Sequence, residues 1–588
     1  MDLESANKIL DDSFKRGVFR YLTDEEINAW SGPVHYLCVD RVYKESESTP
    51  CRLTFDSSQP DKNGLSLNGC MGKGRNPLNY FGGVLLNWRA AENVACGDIS
   101  KMFNRCEARD IDMHLRRFYV RPDGFGGKEP FRVAAIRVVN FGEKSAGNTA
   151  TAIKNRTAED NAHISPEVSK MIINDCFMDD CFVNAKYDEK IDDKIKLAEE
   201  IMAEGGFPFK GWIRNGDKGQ KEIGNVLSRA LGVYWNTEED KIVFKVRINF
   251  SKKVRNRRLK PDSSKETISV DFPEKFTKRI ALKITHSVFD PTCLVQPFIL
   301  KLRLAYRDII VQEKINEAGG WDVELPSITR DKWLKLATEM YELEKISFDR
   351  SLVPRGYDDK ERPMLLLFSD GSETGQCTAA YLRWQMREGT VELRLVTSRV
   401  KIASLKKVTT PVSELLAAQI SSRLKVWLAK TMNIKLGVVV HLVDSSIVLG
   451  MIQSISLKFD TFTAPRISEI QSNTGDATWY WLESKDNPSD LGTRGTATPA
   501  DLGVGSKWQV GPDWVRKPFS EWPIRSDFKK HDLPGLKKEF TVLSNFTTLT
   551  ELVAFDLQEI PEKVLVNTNA TFAKPEDTEG GFVERLFC

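Results

Sequence analysis

Two adjacent carboxylates, Asp179 and Asp180, stand in the stretch NDCFMDDCF at residues 174–182. Ionised side chains this close repel one another. The apolar arms around them read as strand, turn and strand, with Met178, Asp179 and Asp180 near the turn. Upstream, VACGDIS sets Asp98 at the end of an apolar segment. Two neighbouring strands would bring the three acids together. Such a group is stable only beside a cation, and hard oxygen ligands suit Mg2+. Two such ions a few ångströms apart can activate a 3′-hydroxyl and stabilise a leaving pyrophosphate. An exposed acidic hairpin tip would carry the same pair, and the pair alone leaves both readings open.

A second set of acids lies downstream. Asp370 follows the apolar strand MLLLFS. Glu414 sits in TTPVSELLAAQISSRL, a helix with Leu415, Leu416 and Ile420 facing inward. Asp444 ends the apolar strand GVVVHLV, and Asp490 lies in the polar stretch ESKDNPSDLGTRG. Each acid alone is ordinary; four at strand ends and helix starts could again gather round a pair of cations.

The chain that must position these acids has 588 residues, room for three or four domains. With 41% hydrophobic and 28% charged residues it has the profile of a globular protein. No apolar run approaches the ~18–20 residues of a membrane span, so no membrane partner is expected. The opening MDLESANKIL is acidic and polar, unlike a secretory signal. The ten cysteines form no CxxC and no zinc-spaced box. Cys176 and Cys181 read as strand positions, and all ten as reduced thiols of an intracellular protein. Net charge is only +3, but KKVRNRRLK at residues 252–260 is strongly basic and reads as a solvated loop or a phosphate contact. CRLTFD at 51–56 alternates as a strand, and residues 189–206 form an amphipathic helix with a glycine stop. Residues 274–350 read as mostly helical, and 350–363 as a Pro/Gly/charge linker. A new α/β pattern runs from MLLLFSDGS to about residue 510.

Phe103 follows Asp98 by five residues in DISKMF, and FMDD follows downstream. This pattern resembles reverse transcriptases, and the resemblance narrows to the polymerase of BEL/Pao-type retrotransposons. It is carried in order by CRLTFDSS, LSLNGCMGKG, GDISKMFNRC, VVNFG, FMDDCF, GGFPFKGWIRN, LGVYWN, TKRIALKITHSVFDP and GGWDVELP. It covers residues from about 15 to 520.

The resemblance implies an α/β and α+β multidomain chain: a right-hand polymerase with a connection region and a ribonuclease H-like domain. Fingers and palm would span 1–230, thumb and connection 231–352, and the ribonuclease H-like domain 353–510, leaving a tail at 511–588. Asp98, Asp179 and Asp180 would be the polymerase catalytic acids and metal ligands, Asp180 the weaker one. Phe103 would be the steric gate against a ribose 2′-hydroxyl. Arg52 would touch the incoming triphosphate, a bidentate match. Phe141 and Gly142 would floor the nucleotide pocket. Asp370, Glu414, Asp444 and Asp490 follow the strand, helix, strand, helix-start order of ribonuclease H acids and would hold its metals. Asn487 to Asp490 and Thr493 to Gly495 match the family's Asn-Pro-Ala/Ser-Asp and Thr-Arg-Gly. EKSAG departs from the usual Ser-Pro, and no histidine lies between Asp444 and Asp490.

The implied function is RNA- and DNA-directed DNA synthesis coupled to RNA cleavage in RNA:DNA hybrids. It would use two Mg2+ ions per site, with Mn2+ as a substitute. Partners would be an RNA template, a DNA primer, the hybrid, deoxynucleoside triphosphates and other gag or pol products. The setting would be intracellular, in cytoplasm or virus-like particles. A second reading is an inactive or domesticated descendant that only binds nucleic acid. A third is a Pao-type polyprotein peptidase, but Asp370-Gly-Ser inverts the aspartic-protease order and no catalytic dyad accompanies it.

Overall fold

The computed structural model describes residues 3–526 and 533–536, apart from 44–50, 219–226, 252, 255, 256, 259, 316–319, 407 and 476. Of the basic run at 252–260, the described residues are the backbone of the antiparallel pair Lys253–Val254 and Arg257–Arg258 and the exposed Lys260. Among the described residues no helix is long and apolar enough to cross a membrane.

The N-terminal part builds a small antiparallel sheet of Phe19–Tyr21, Arg132–Ile136 and Arg117–Val120, beside the hairpin of Cys38–Tyr43 and Cys51–Asp56. Phe19, Phe55 and Phe118 meet edge-to-face at 5.0–5.5 Å and fill the space between them.

The apolar run of the Asn93–Ile99 strand has a structural cause: Val94, Ala95 and Cys96 are all buried, because the strand is central in its sheet. The sheet order is Cys176–Phe177, Asp180–Ala185, Asn93–Ile99, Phe209–Arg214. Helices Ala146–Asp160, Pro166–Asn174 and Ile191–Ala203 cover one face. The last of these buries Ile195, Ala198, Ile201 and Met202, the stripe its spacing predicts, and the chain turns away at Gly206 (φ +72°). Gly97 is required by crowding: a Cβ there would lie 2.8 Å from the Trp212 ring.

Residues 274–350 are mostly helical, in Lys278–Thr285, Gln296–Ile315 and Ser327–Met340. The segment read as a linker begins differently. Arg350 is fully buried and its guanidinium donates to the carbonyls of Trp88, Ala91 and Glu92 and to the Asp240 carboxylate. Leu352 and Val353 are buried too. The charge and proline content suggested solvation, but backbone carbonyls and one acid satisfy the arginine inside.

The C-terminal sheet has the order Val391–Ile402, Gly375–Gln385, Met364–Gly371, Val439–Val443, Thr478–Trp481. The first three strands are antiparallel, and the last two run parallel to Met364–Gly371. Helix Thr410–Thr431 lies across it and buries Leu415, Ala418, Leu424 and Leu428. Packing continues past residue 510. Trp508 is buried and donates to the Leu294 carbonyl, and Trp481 and Arg525 exchange backbone hydrogen bonds. The stretch 511–526 is thus part of this unit, held by scattered tryptophans rather than by any periodic pattern; residues 537–588 lie outside the described residues.

The two sheets share one core. Trp88 and Phe182 belong to the same buried cluster as Phe368, Tyr381 and Leu442. Arg89, also buried, donates to the carbonyls of Val396, Leu395, Asp349 and Arg350.

Candidate active sites

The first three acids meet where the expected hairpin turns. Asp98 and Asp180 are register partners across Asn93–Ile99 and Asp180–Ala185. Asp179 occupies the two-residue loop after Met178, and its carbonyl accepts from the Ile99 amide at 2.8 Å. Met178 sits at φ +57°, a left-handed conformation that costs a non-glycine residue about 1–2 kcal/mol. A Cβ built on Gly147 would lie 3.0 Å from the Met178 methyl, so the loop side chain lies against the neighbouring helix. Cys176 and Cys181 take the strand positions expected of them. They are not free thiols, however: the tight loop sets them directly opposite, with Cα atoms 4.1 Å apart, and they are joined as a disulfide.

Burial, with the charges of Asp179 and Asp98 adding to it, pushes the Asp180 carboxyl up to about 7. Asp98 is raised by burial and by Asp179, against the opposing charges of Lys210 and Arg52. Arg52 therefore stands near Asp98. Lys210 is a residue that the sequence reading missed. It follows Phe209, which pairs with Ile99, so only the register of the Phe209–Arg214 strand reveals it.

Phe103 and Phe141 are in contact, their ring centroids 4.5 Å apart at 47°. Phe141 is 48% exposed, a large apolar side chain presented to solvent. Gly142 has φ +96°, and its carbonyl accepts from Asn68 Nδ2 at 2.9 Å while Asn68 Oδ1 accepts from the Lys144 amide. Asn68 thus clamps the loop, a second residue that the sequence did not single out. In EKSAG, Glu143 is buried in a bidentate pair with Arg116 at 2.6 and 2.9 Å.

The second set of acids also gathers. Asp370 ends the Met364–Gly371 strand, and its Oδ2 accepts from Thr493 Oγ1 at 2.6 Å. Glu414 comes close because Gly371 lets the helix approach: a Cβ at Gly371 would lie 2.4 Å from Ser413 backbone atoms and 2.6 Å from the Glu414 nitrogen. Ser413 Oγ donates to the Ser372 carbonyl at 2.6 Å and fixes that approach. Asp444 follows Val439–Val443; its Oδ2 accepts from Ser484 and its carbonyl from the Trp481 indole. The Asn-Pro-Ser-Asp turn is stapled behind the Asp370 strand by Asn487 Nδ2 to the Ser369 carbonyl and Ser489 Oγ to the Phe368 carbonyl. That places Asp490, whose Oδ1 accepts from Arg494 Nε at 2.8 Å and Nη2 at 2.6 Å. Burial first, then Asp444, pushes Asp370 up to about 6. Burial pushes Glu414 up to about 7, with Asp444 and Asp370 adding and Ser445 opposing. Asp444 is raised by burial, with Asp490 adding.

Among the described residues, no three His, Cys, Asp or Glu side chains are already drawn round a single point. Asp98, Asp180, Asp370, Glu414 and Asp444 instead feel the charge of their neighbouring acids while at least half-buried. Both sets consist of carboxylates alone, which fits a hard divalent cation, and the mutual repulsion is what such a cation would relieve.

Residues 277–445 match the family model of the Pao retrotransposon-like RNaseH-like domain. This segment is a Pao-type retrotransposon domain. The Pao-type segment contains Asp370, Glu414 and Asp444, and Asp490 lies beyond its end. No curated protein matches the chain. Solved structures similar to it include a foamy viral protease-reverse transcriptase bound to double-stranded DNA, at 13% identity and a TM-score of 0.47, covering 82% of this chain and 83% of that one. Others are that protein with an RNA/DNA hybrid, at 13% identity, TM-score 0.47 and 82% and 54% coverage, and its dRH form with double-stranded DNA, at 14%, 0.48, 82% and 69%.

Proposed function

We propose that the chain is a retrotransposon reverse transcriptase: an RNA- and DNA-directed DNA polymerase coupled to ribonuclease H cleavage of RNA:DNA hybrids. The observation that carries the reading is the pairing of Asp98 with Asp180 beside the Asp179 loop, on a sheet sharing one core with a Pao-type segment that supplies Asp370, Glu414 and Asp444, to which the turn beyond it adds Asp490.

Asp98, Asp179 and Asp180 would hold Mg2+ in the first site, and Asp370, Glu414, Asp444 and Asp490 in the second. When bound, the ions supply an activated hydroxyl or water and charge neutralisation at the leaving oxygen. The chain's own residues do the rest. Arg52 and Lys210 bring positive charge to the triphosphate side of the first acids. The Phe103–Phe141 contact presents an apolar floor where a ribose 2′-hydroxyl would meet an aromatic face. Asn68 keeps the loop carrying that floor in place. In the second site, Thr493 and Ser484 orient Asp370 and Asp444 by donating to their inner oxygens. RNA template, DNA primer and hybrid are the nucleic-acid partners of this reading, and deoxynucleoside triphosphates its substrates.

The test uses two variants of the full chain. Asp179→Asn with Asp180→Asn should abolish template-primed nucleotide incorporation in Mg2+ or Mn2+. Asp444→Asn should abolish hybrid cleavage and leave incorporation measurable. Incorporation surviving the first change would refute the polymerase assignment.

A further inference from the structure

The turn after Asp490 is held more rigidly than a surface loop requires. A Cβ at Gly492 would lie 2.3 Å from Cys377 Sγ, and one at Gly495, already at φ +67°, would lie 2.2 Å from Leu304. Between them, Thr493 is fully buried, donating to Asp370 while its carbonyl accepts from the hydroxyls of Ser372 and Thr374. The one residue of this strap that reaches outward is Arg494, with 62% of its side chain exposed. Its guanidinium turns back onto the acid. Both donors converge on one oxygen, Asp490 Oδ1.

Among the described residues, Asp490 is the only one of the four acids paired with a cationic side chain. Asp370 is paired with a hydroxyl, Asp444 with Ser484 and Asn487, and Glu414 with Ser445. A guanidinium on a carboxylate and a divalent ion on the same oxygen exclude one another, because both neutralise the same lone pairs.

We propose that Arg494 is a latch on the second site: it occupies Oδ1 of Asp490 and must leave before a cation can use that oxygen. The consequence is two unequal cation positions. The one built on Asp370, Glu414 and Asp444 fills without competition, and the one that needs Asp490 fills at higher concentration. Because the pair is exposed, the competition is modest, and its removal should tighten the weaker position roughly two- to fivefold. The inference rests on the ribonuclease H reading of this cluster but assigns Arg494 a role of its own.

The test is Mn2+ binding to the full chain, followed by the electron paramagnetic resonance of free Mn2+. It is done in an Asp98→Asn, Asp179→Asn background, which leaves the second cluster to be titrated. Arg494→Gln should tighten the weaker Mn2+ position by that factor and leave the tighter one unmoved. Arg494→Lys, a single point charge on a shorter arm, should fall between. Asp490→Asn should delete the weaker position. An arginine that merely braces the fold would act in the opposite direction, lowering the melting temperature and weakening Mn2+ binding when replaced. An unmoved or weakened position in Arg494→Gln overturns the latch. If Asp490→Asn still deletes that position, only the latch has failed; if Asp490→Asn and Asp444→Asn both leave binding intact, the metal reading of the cluster has failed with it.

Discussion

Gly371→Ala is the smallest change that separates the two proposed activities. Gly371 lies in the strand that carries Asp370, under the start of the helix that carries Glu414. A Cβ there would stand 2.4 Å from the Ser413 carbonyl carbon and oxygen and 2.6 Å from the Glu414 nitrogen, whereas ordinary contact begins at 3.4 Å. The obstacles are backbone atoms, which no rotamer change can clear. The helix must therefore retreat by about 1 Å, and Glu414 retreats with it. Forcing a methyl into packed backbone costs about 1–3 kcal/mol, which a chain with a core this extensive survives. A displacement of about 1 Å at a reacting centre costs on the order of a hundredfold in rate. Gly371→Ala should therefore lose about two orders of magnitude in hybrid cleavage, measured on a labelled RNA:DNA duplex. Template-primed incorporation by the same preparation should stay within a few-fold of the unaltered chain. Cleavage within threefold of normal would refute the argument that this glycine sets the distance between Asp370 and Glu414. Parallel loss of both activities would mean that the change unfolds the chain instead.

Two further outcomes follow from buried charges. Arg350→Ala strips the Asp240 carboxylate and the Trp88, Ala91 and Glu92 carbonyls of their donor, and should destabilise the chain by about 3–5 kcal/mol in urea denaturation; a loss below about 1 kcal/mol would show these groups to be re-solvated. Lys154, buried and donating to the Ile172 carbonyl, has its ammonium pushed down to about 7 by burial. Between pH 7 and its ordinary 10.5 the unfolded chain keeps that proton and the folded chain does not, so this lysine makes stability rise with pH across the window. Lys154→Met should remove that rise, and a wild-type-minus-variant difference that stays flat across the window would contradict the assignment.

Asp98, Asp370 and Asp444 were legible in the sequence because each closes an apolar run, and a strand end is a one-dimensional signal. Their supports were not. Lys210 reaches Asp98 only through the pairing of two strands, and Thr493 reaches Asp370 across the sheet from a turn that reads as polar surface. Arg350 was misread for a related reason. Proline, glycine and charge around it suggested a linker, and nothing in the local sequence announces four acceptors brought from two distant segments. The stretch 511–526 was opaque because its tryptophans follow no period; each fills a separate gap. The cysteine pair was placed correctly on strands, but whether two thiols face each other depends on loop length and register, which composition does not contain.

The buried arginines have a consequence for how the proposed activities would be timed. Arg89 and Arg350 pin the helix Phe81–Ala90 to the strand Val391–Ile402 and to the segment leading into the C-terminal sheet. Asn87, from the same helix, donates to Asp175 at the base of the Asp179 hairpin and accepts from the amide of Asn433, just past the helix that bears Glu414. The two sets of acids are thus carried on two arms joined through one pinned helix rather than tethered by a leash. A duplex lying across both arms would be cut at a set number of base pairs behind the growing end, so the lengths of the released fragments would be a measurement of the protein, made in nucleotides.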